Sequence, residues 1–262
     1  MSYIVICSAA LLVSALTLFS GFGLGTLLMP VFALFFPLEV AVAATAVVHG
    51  ANNIFKIMVF GQKADRTVVL KFGIPAIIAA FAGVTALGYL SGVEQVATYT
   101  LGSRTAVITP LKLIMAALML AFSLFELLPG LRRLHFDRKY LFLGGMLSGF
   151  FGGLSGHQGA LRSAFLAKTG VSTEAFVGTN AVIGFMVDMA RLISYAALFF
   201  MAGKAGAINP EQWPLIMAGI LAAFSGVRVG KRFLKKITIK TIQTFTGILL
   251  FGIALALGSG LV

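Results

Sequence analysis

Long apolar runs separated by short basic or polar stretches organise this chain. Near residues 40–60, 72–91, 108–128, 174–200, 212–230 and 239–259 the runs reach the length, about 20 residues, that carries a helix across a bilayer. Two further apolar stretches, 3–36 and 140–169, are interrupted by glycine: Gly21-Phe22-Gly23-Leu24-Gly25 in the first and Gly149-Phe150-Phe151-Gly152-Gly153-Leu154-Ser155-Gly156 in the second. Clustered glycine ends or kinks a helix, so each stretch is expected to form a pair of half-helices. Residues 1–20 lack the basic opening of a signal peptide and are expected to stay in the mature fold.

Composition makes lipid the solvent. The 262 residues are 59% hydrophobic and 11% charged, and the mean hydropathy is +1.02. A net charge of +12 raises the question of nucleic acid, but the lysines and arginines sit in short loops between apolar runs rather than on one hydrated face. Lys63, Arg66 and Lys71 form one basic stretch, Arg132, Arg133, Arg138 and Lys139 a second, and Arg228, Lys231, Arg232, Lys235, Lys236 and Lys240 a third. The positive-inside rule makes all three cytoplasmic, in a cell inner (plasma) membrane. Cys7 is the single cysteine, which excludes an internal disulfide framework and a cysteine-rich metal cluster.

Sliding the chain against itself by 134 residues pairs Gly25 with Gly159, Leu27 with Leu161, Ala33 with Ala167, Ala41 with Ala175, Thr45 with Thr179, Val48 with Val182 and Gly50 with Gly184. The broken stretches coincide, as in a duplicated transporter. Each half then holds either four crossings, or three crossings and a re-entrant hairpin. Four crossings would put the Arg228–Lys240 loop opposite the other two basic loops. Re-entrant hairpins keep all three cytoplasmic and leave the loops near Glu94 and Lys204–Glu211 outside. The expected fold is therefore an all-α polytopic membrane protein of two inverted-topology repeats, 1–130 and 131–262, integrated into one membrane domain. Each repeat carries a broken helix pair plus three transmembrane helices.

Irregular backbone at membrane depth must be buried in protein or line a cavity, so the glycine tips mark the candidate site. The half-helices that restart near Gly25-Thr26 and Gly159-Ala160 offer free N–H groups and a positive dipole end to an anion. Glycine packing between helices is the competing reading. Along 40–60, Thr45, His49, Asn52, Asn53 and Lys56 share one face; along the related span Asn180, Gly184, Asp188, Arg191 and Tyr195 do so, with Thr179 beside them. Ionisable groups at this depth point to function. Asp188 and Arg191 form either a coupling pair or a structural one, and Lys56 either reaches the cavity or snorkels to the surface. The second tip is the more polar, with Ser155, His157, Gln158, Arg162 and Ser163. Arg162 has no carboxylate nearby in sequence, which suits an anion as its counter-charge, and His157 could move a proton. The candidate substrate-binding set is Gly23, Gly25, Thr26, His49, Asn52, Asn53, Ser155, His157, Gln158, Gly159, Arg162, Thr179 and Asn180.

The run GFGLGTLLMP from Gly21 to Pro30 and the run GGLSGHQGALRSAFL from Gly152 to Leu166, continued by Thr179, Asp188, Arg191 and Tyr195, resemble the TauE/SafE family of bacterial sulfite and organosulfonate exporters. The likeness spans nearly the whole chain. Two departures stand out: Leu24 interrupts the glycine run, and Ala164 occupies the repeat position of Pro30. The resemblance implies efflux of a sulfur-containing or carboxylate anion, driven by the proton-motive force.

The expected function is secondary transport of a small anion bound at the midplane, with lipid as the surroundings. An anion channel on the same scaffold is the alternative. An intramembrane hydrolase using Ser155 or Ser163 with His157 or His49 is a third class, disfavoured because Ser155 lies only two residues from His157 in a loop. Neither a cofactor nor a metal site is expected, and no nucleic-acid partner. Apolar outer faces serve lipid and partner subunits alike, so a homodimer stays open.

Overall fold

The computed structural model describes residues 1–16, 24–102, 104–132, 134–201, 208–233 and 239–261. Gly23, with Gly21 and Phe22 of the first tip, lies outside the described residues, as do Arg133, Lys204, Lys235 and Lys236.

The structure is helical nearly throughout. The first broken stretch gives α1 (Ser2–Leu16) and α2 (Leu24–Ala33), followed by α3 (Leu38–Phe60), α4 (Arg66–Ser91), α5 (Pro110–Leu127) and a single turn, α6 (Pro129–Arg132). The second broken stretch gives α7 (Leu141–Ser155) and α8 (Gly159–Leu166), followed by α9 (Thr173–Met201), α10 (Trp213–Phe233) and α11 (Ile239–Gly258). Among the described residues five helices are long and apolar enough to cross a membrane: Leu38–Lys63, Arg66–Ser91, Pro110–Leu127, Thr173–Leu198 and Pro210–Gly230. The chain is a multi-pass membrane protein.

Local chemistry sets the boundaries. Asp65 caps α4 by accepting from the Thr67 and Val68 N–H groups. Thr109 caps α5 in the same way through Lys112 N, with Pro110 at the first helical position. The break in the second stretch comes at Gly156, which ends α7 with φ +80, a left-handed conformation that glycine adopts without penalty.

One element was not expected from the sequence. Between α4 and α5 the chain forms an antiparallel hairpin of β1 (Ala97–Leu101) and β2 (Arg104–Ile108), with Gly102 at φ +64 in its turn. The hairpin holds the end of α11: Tyr99 Oη donates to the Ser259 carbonyl at 2.6 Å, and Val107 N to the Gly260 carbonyl at 3.2 Å.

Four helix pairs build the interior: α4 with α7, α1 with α10, α5 with α11, and α3 with α9. Two of them are glycine-to-backbone contacts. Gly145, Gly149 and Gly153 of α7 lie against the carbonyls of Phe72, Ala76 and Ala80, so close that a Cβ at any of the three would overlap backbone. Gly226 and Gly230 of α10 meet the carbonyls of Leu11 and Ala15 in the same manner. Lipid gives no hydrophobic reason for helices to associate, so close van der Waals approach of this kind does the work.

The chain leading into α7 and the chain leaving α8 come back together. Phe136 N donates to the Ala164 carbonyl at 3.3 Å, the Phe136 and Phe165 rings stack with centroids 4.2 Å apart, and Lys168 lies 3.8 Å from Asp137. The turn between α3 and α4 is at the same end, where Arg138 pairs with Asp65 at 2.8 Å and Lys63 with Glu174 at 3.4 Å. In the first broken stretch, Ile6 near the start of α1 and Phe32 near the end of α2 both reach Gly219 of α10.

Candidate functional site

Both polar helix faces read from the sequence are buried and meet at one carboxylate. Asp188 of α9 is fully buried and gathers partners from α3, from its own helix and from the second tip. His49 Nδ1 lies 2.6 Å from its Oδ2, to which Asn53 Nδ2 donates at 3.0 Å; both come from α3. Gln158 Nε2, in the tip before α8, donates to Oδ1 at 3.0 Å. Arg191 Nη2, one turn along α9, stands 3.0 Å from Oδ1 in a charge contact rather than an aligned hydrogen bond. A carboxylate in a dry interior persists as an anion only with such a set of partners.

Arg191 and Tyr195 have a second duty. Arg191 Nη1 donates to the Gly152 carbonyl at 3.0 Å and Tyr195 Oη to the Gly153 carbonyl at 2.6 Å. These are last-turn carbonyls of α7, where a helix carries unpaired acceptors and a partial negative charge. The pair Asp188 and Arg191 is thus built into the wall of the tip.

Arg162 is different. Its Nε donates to Asn180 Oδ1 and its Nη1 to Gln158 Oε1 at 2.9 Å, both neutral acceptors. It is only 2% exposed, and among the described residues no carboxylate lies within ion-pair distance of its guanidinium. Gly184 makes the position possible, since a Cβ there would stand 3.2 Å from Arg162 Nη1 and 2.7 Å from Asn53 Nδ2. Lys56 is also buried, at 8% exposure, and lies within the field of Arg162. It therefore belongs to the interior rather than to the surface. Arg162 and Arg191 both lie within the field of the Asp188 carboxylate, and Lys56 within that of Arg162.

The two tips touch. A Cβ on Gly25, at the start of α2, would stand 3.2 Å from the Gly156 carbonyl and 3.7 Å from the His49 ring. Thr26 follows, buried, with its hydroxyl unpartnered. Across the tip, α8 opens at Gly159 with no side-chain cap on its first N–H groups. Several other polar atoms in these walls also lack a hydrogen-bond partner among the described residues: Asn52 Nδ2, His157 Nε2, Asn180 Nδ2 and Arg191 Nε. Buried polar atoms are ordinarily satisfied by protein, water or ligand.

His157 is fully buried, stacked on Phe122 of α5 with centroids 5.3 Å apart and planes 5° apart, its Nδ1 3.0 Å from the Ser155 carbonyl. Ser155 donates its own hydroxyl back to the Phe151 carbonyl at 2.9 Å, a helix-internal bond. Thr179 sits elsewhere: its Oγ1 accepts from Asp65 N at 2.8 Å, at the turn between α3 and α4. The structure does not bring it to the Asp188 cluster, and Gly23 is outside the described residues.

Three contributors escaped the sequence reading. Ser14 of α1 donates to Asn52 Oδ1 at 3.0 Å, Ser148 of α7 donates to the Gln158 carbonyl at 2.9 Å, and Phe122 carries the His157 ring. A lone serine or phenylalanine in an apolar run has no signature, so only the folded arrangement singles them out.

Among the described residues no group of three or more histidine, cysteine or acidic side chains could hold a metal ion. Comparison with protein-family models matches residues 6–257 to the family described as Sulfite exporter TauE/SafE. No curated protein and no solved structure matches the chain.

Proposed function

Since the chain belongs to the sulfite exporter TauE/SafE family, and so is a membrane transporter for small sulfur-containing anions rather than an enzyme, we propose that its cargo binds where the two glycine tips meet. The cargo is a sulfite or organosulfonate anion, held between the starts of α2 and α8 and leaving the cell by alternating access.

The observation that carries this reading is Arg162. A buried guanidinium without a carboxylate contact is costly, by several kcal/mol per uncompensated ion as an order of magnitude. An oxyanion at the start of α8 would neutralise it. The same oxyanion would accept from the uncapped N–H groups of α8 and from Asn180 Nδ2 and Thr26 Oγ1. His49 and Asp188, 2.6 Å apart and on helices from opposite halves, are the pair through which a proton would enter the cycle, with His157 Nε2 as a donor to the cargo when protonated.

The architecture we infer for this cycle is two inverted repeats, 1–130 and 131–262, each with a re-entrant hairpin. Packing supports it: α1 leans on α10 as α7 leans on α4, while α3 meets α9 and α5 meets α11, the pairing that a two-fold axis between the halves requires. The closeness of Phe136 to Phe165, and of Ile6 and Phe32 to Gly219, supports hairpins that leave by the face they enter. The clustering of Lys63, Arg138 and Lys168 at one end supports a cytoplasmic face there.

The test is thermal stabilisation of the purified protein by sulfite, taurine, sulfoacetate, sulfate, phosphate, succinate and chloride, because a ligand that binds only the folded state raises the melting temperature. The expected result is a shift with the sulfur anions that is lost in Arg162→Ala. An Arg162→Ala protein that binds like wild type would overturn the tip site. In proteoliposomes, saturable flux with counter-transport and a response to a pH gradient is expected; unsaturable flux would mean a channel.

A further inference from the structure

Away from the tips, at the end of the α4–α7 pair where Asp65 meets Arg138, a cavity of about 330 Å³ opens toward the outside of the helix bundle. Its volume falls in the range of small-molecule sites, roughly 300–1,000 Å³. Lys71, Arg138 and Lys139 supply its polar wall; Leu70, Ile74 and Phe142 supply its apolar one. All three apolar side chains are exposed, Leu70 and Ile74 on a helix long and apolar enough to cross a membrane and Phe142 at the start of α7.

The basic wall is built. Arg138 is fixed by its 2.8 Å bond to Asp65, which is itself fixed as the cap of α4. Lys139 lies over the Tyr140 ring at 4.9 Å, and an exposed tyrosine at a helix entry marks the headgroup level. Among the described residues no carboxylate lies within ion-pair distance of Lys71 or Lys139. Of the other exposed cations of this end, Lys63 has Glu174 at 3.4 Å and Lys168 has Asp137 at 3.8 Å, while Arg66 has no carboxylate at ion-pair distance among the described residues.

We propose that this cavity binds the phosphate headgroup of an anionic phospholipid, of the phosphatidylglycerol kind, from the leaflet around the basic loops. The phosphodiester sits among Lys71, Arg138 and Lys139, and the acyl chains run along Leu70, Ile74 and Phe142. A soluble phosphate would use only the polar wall and leave the apolar one bare. The lipid bridges α4 to the entry of α7 and so ties together the two helices whose glycine contacts begin one turn deeper, at Phe72 and Gly145.

The experiment uses the full chain in detergent, with lipid retention read by native mass spectrometry and binding by thermal stabilisation. Phosphatidylglycerol is compared with phosphatidylcholine, and with glycerol phosphate and inorganic phosphate as headgroups without chains. Each lysine near an anionic headgroup contributes about fivefold in affinity, so the double variant Lys71→Gln/Lys139→Gln should bind phosphatidylglycerol roughly twenty-five-fold more weakly. Its stabilisation by sulfite should match wild type, which separates this site from the tip site and from misfolding. Equal retention of phosphatidylcholine, undiminished binding in the double variant, or stabilisation by glycerol phosphate at the concentrations where the lipid acts would each overturn the proposal.

Discussion

Asp188 and Arg191 allow a test in which the sum of two losses differs from the loss of both. Asp188→Asn leaves Arg191 buried with its charge opposed only by the Gly152 carbonyl. Removing one member of a buried ion pair costs about 3–5 kcal/mol. Arg191→Met costs a similar amount, because it removes the cation 3.0 Å from Asp188 and the side-chain donor to the Gly152 carbonyl. The double variant exposes no lone charge. It should therefore fall well short of the roughly 6–10 kcal/mol that additive losses would give, and a coupling energy of about 2–3 kcal/mol is expected between residues in one network. Equilibrium unfolding of the purified proteins in mixed micelles measures all four corners of the cycle. Additivity within about 0.5 kcal/mol, the figure for independent sites, would mean that the two charges do not hold one another and that the Asp188 hub is organised some other way.

Other expectations follow from single contacts. Tyr195→Phe should lose about 1 kcal/mol of stability, one hydrogen bond, while leaving anion affinity unchanged; a large loss of affinity would move the tyrosine into the site. Thr179→Val should destabilise by about 1–3 kcal/mol through the orphaned Asp65 N–H, again with unaltered anion binding, and weaker binding would restore Thr179 to the substrate set. Gly149→Val should prevent accumulation of folded protein, since its side chain would overlap Ala76 backbone; normal yield and melting temperature would contradict the close packing of α4 and α7. Cysteines replacing Lys139 and Glu94 should react with a membrane-impermeant reagent from opposite faces, and labelling of both from one face would break the topology.

The long helices were legible because a span needs about 20 apolar residues in a row, and nothing else in this composition produces such runs. The break in the second stretch was legible for the complementary reason: Gly156 takes a left-handed conformation that other residues rarely adopt, and such a position is visible as glycine. The hairpin at 97–108 was hidden, since its two strands are short and its backbone pairs are local to a loop read only as a connection. At the site, spacing disclosed that Asn52, Asn53 and Lys56 share a face with His49, but not that this face closes on Asp188, 139 residues from His49. Thr179 shows the limit most clearly. It lies 134 residues from Thr45 in the sequence match, yet Thr45 bonds the Ala41 carbonyl of its own helix while Thr179 bonds the turn before α4. Residues that align in a sequence need not make the same contacts.

The close fit of α1 against α10 also sets a timetable for biosynthesis. The glycines that receive the carbonyls of Leu11 and Ala15, Gly226 and Gly230, leave the ribosome 215 residues after them. At about 5–20 residues per second that is an interval of roughly 10–40 seconds. Until it ends, α1 has its contacts with α2 and the Ser14–Asn52 bond but not its backbone seam with α10. A truncation or frameshift before α10 would therefore leave the Leu11 and Ala15 side of α1 without the surface that receives it.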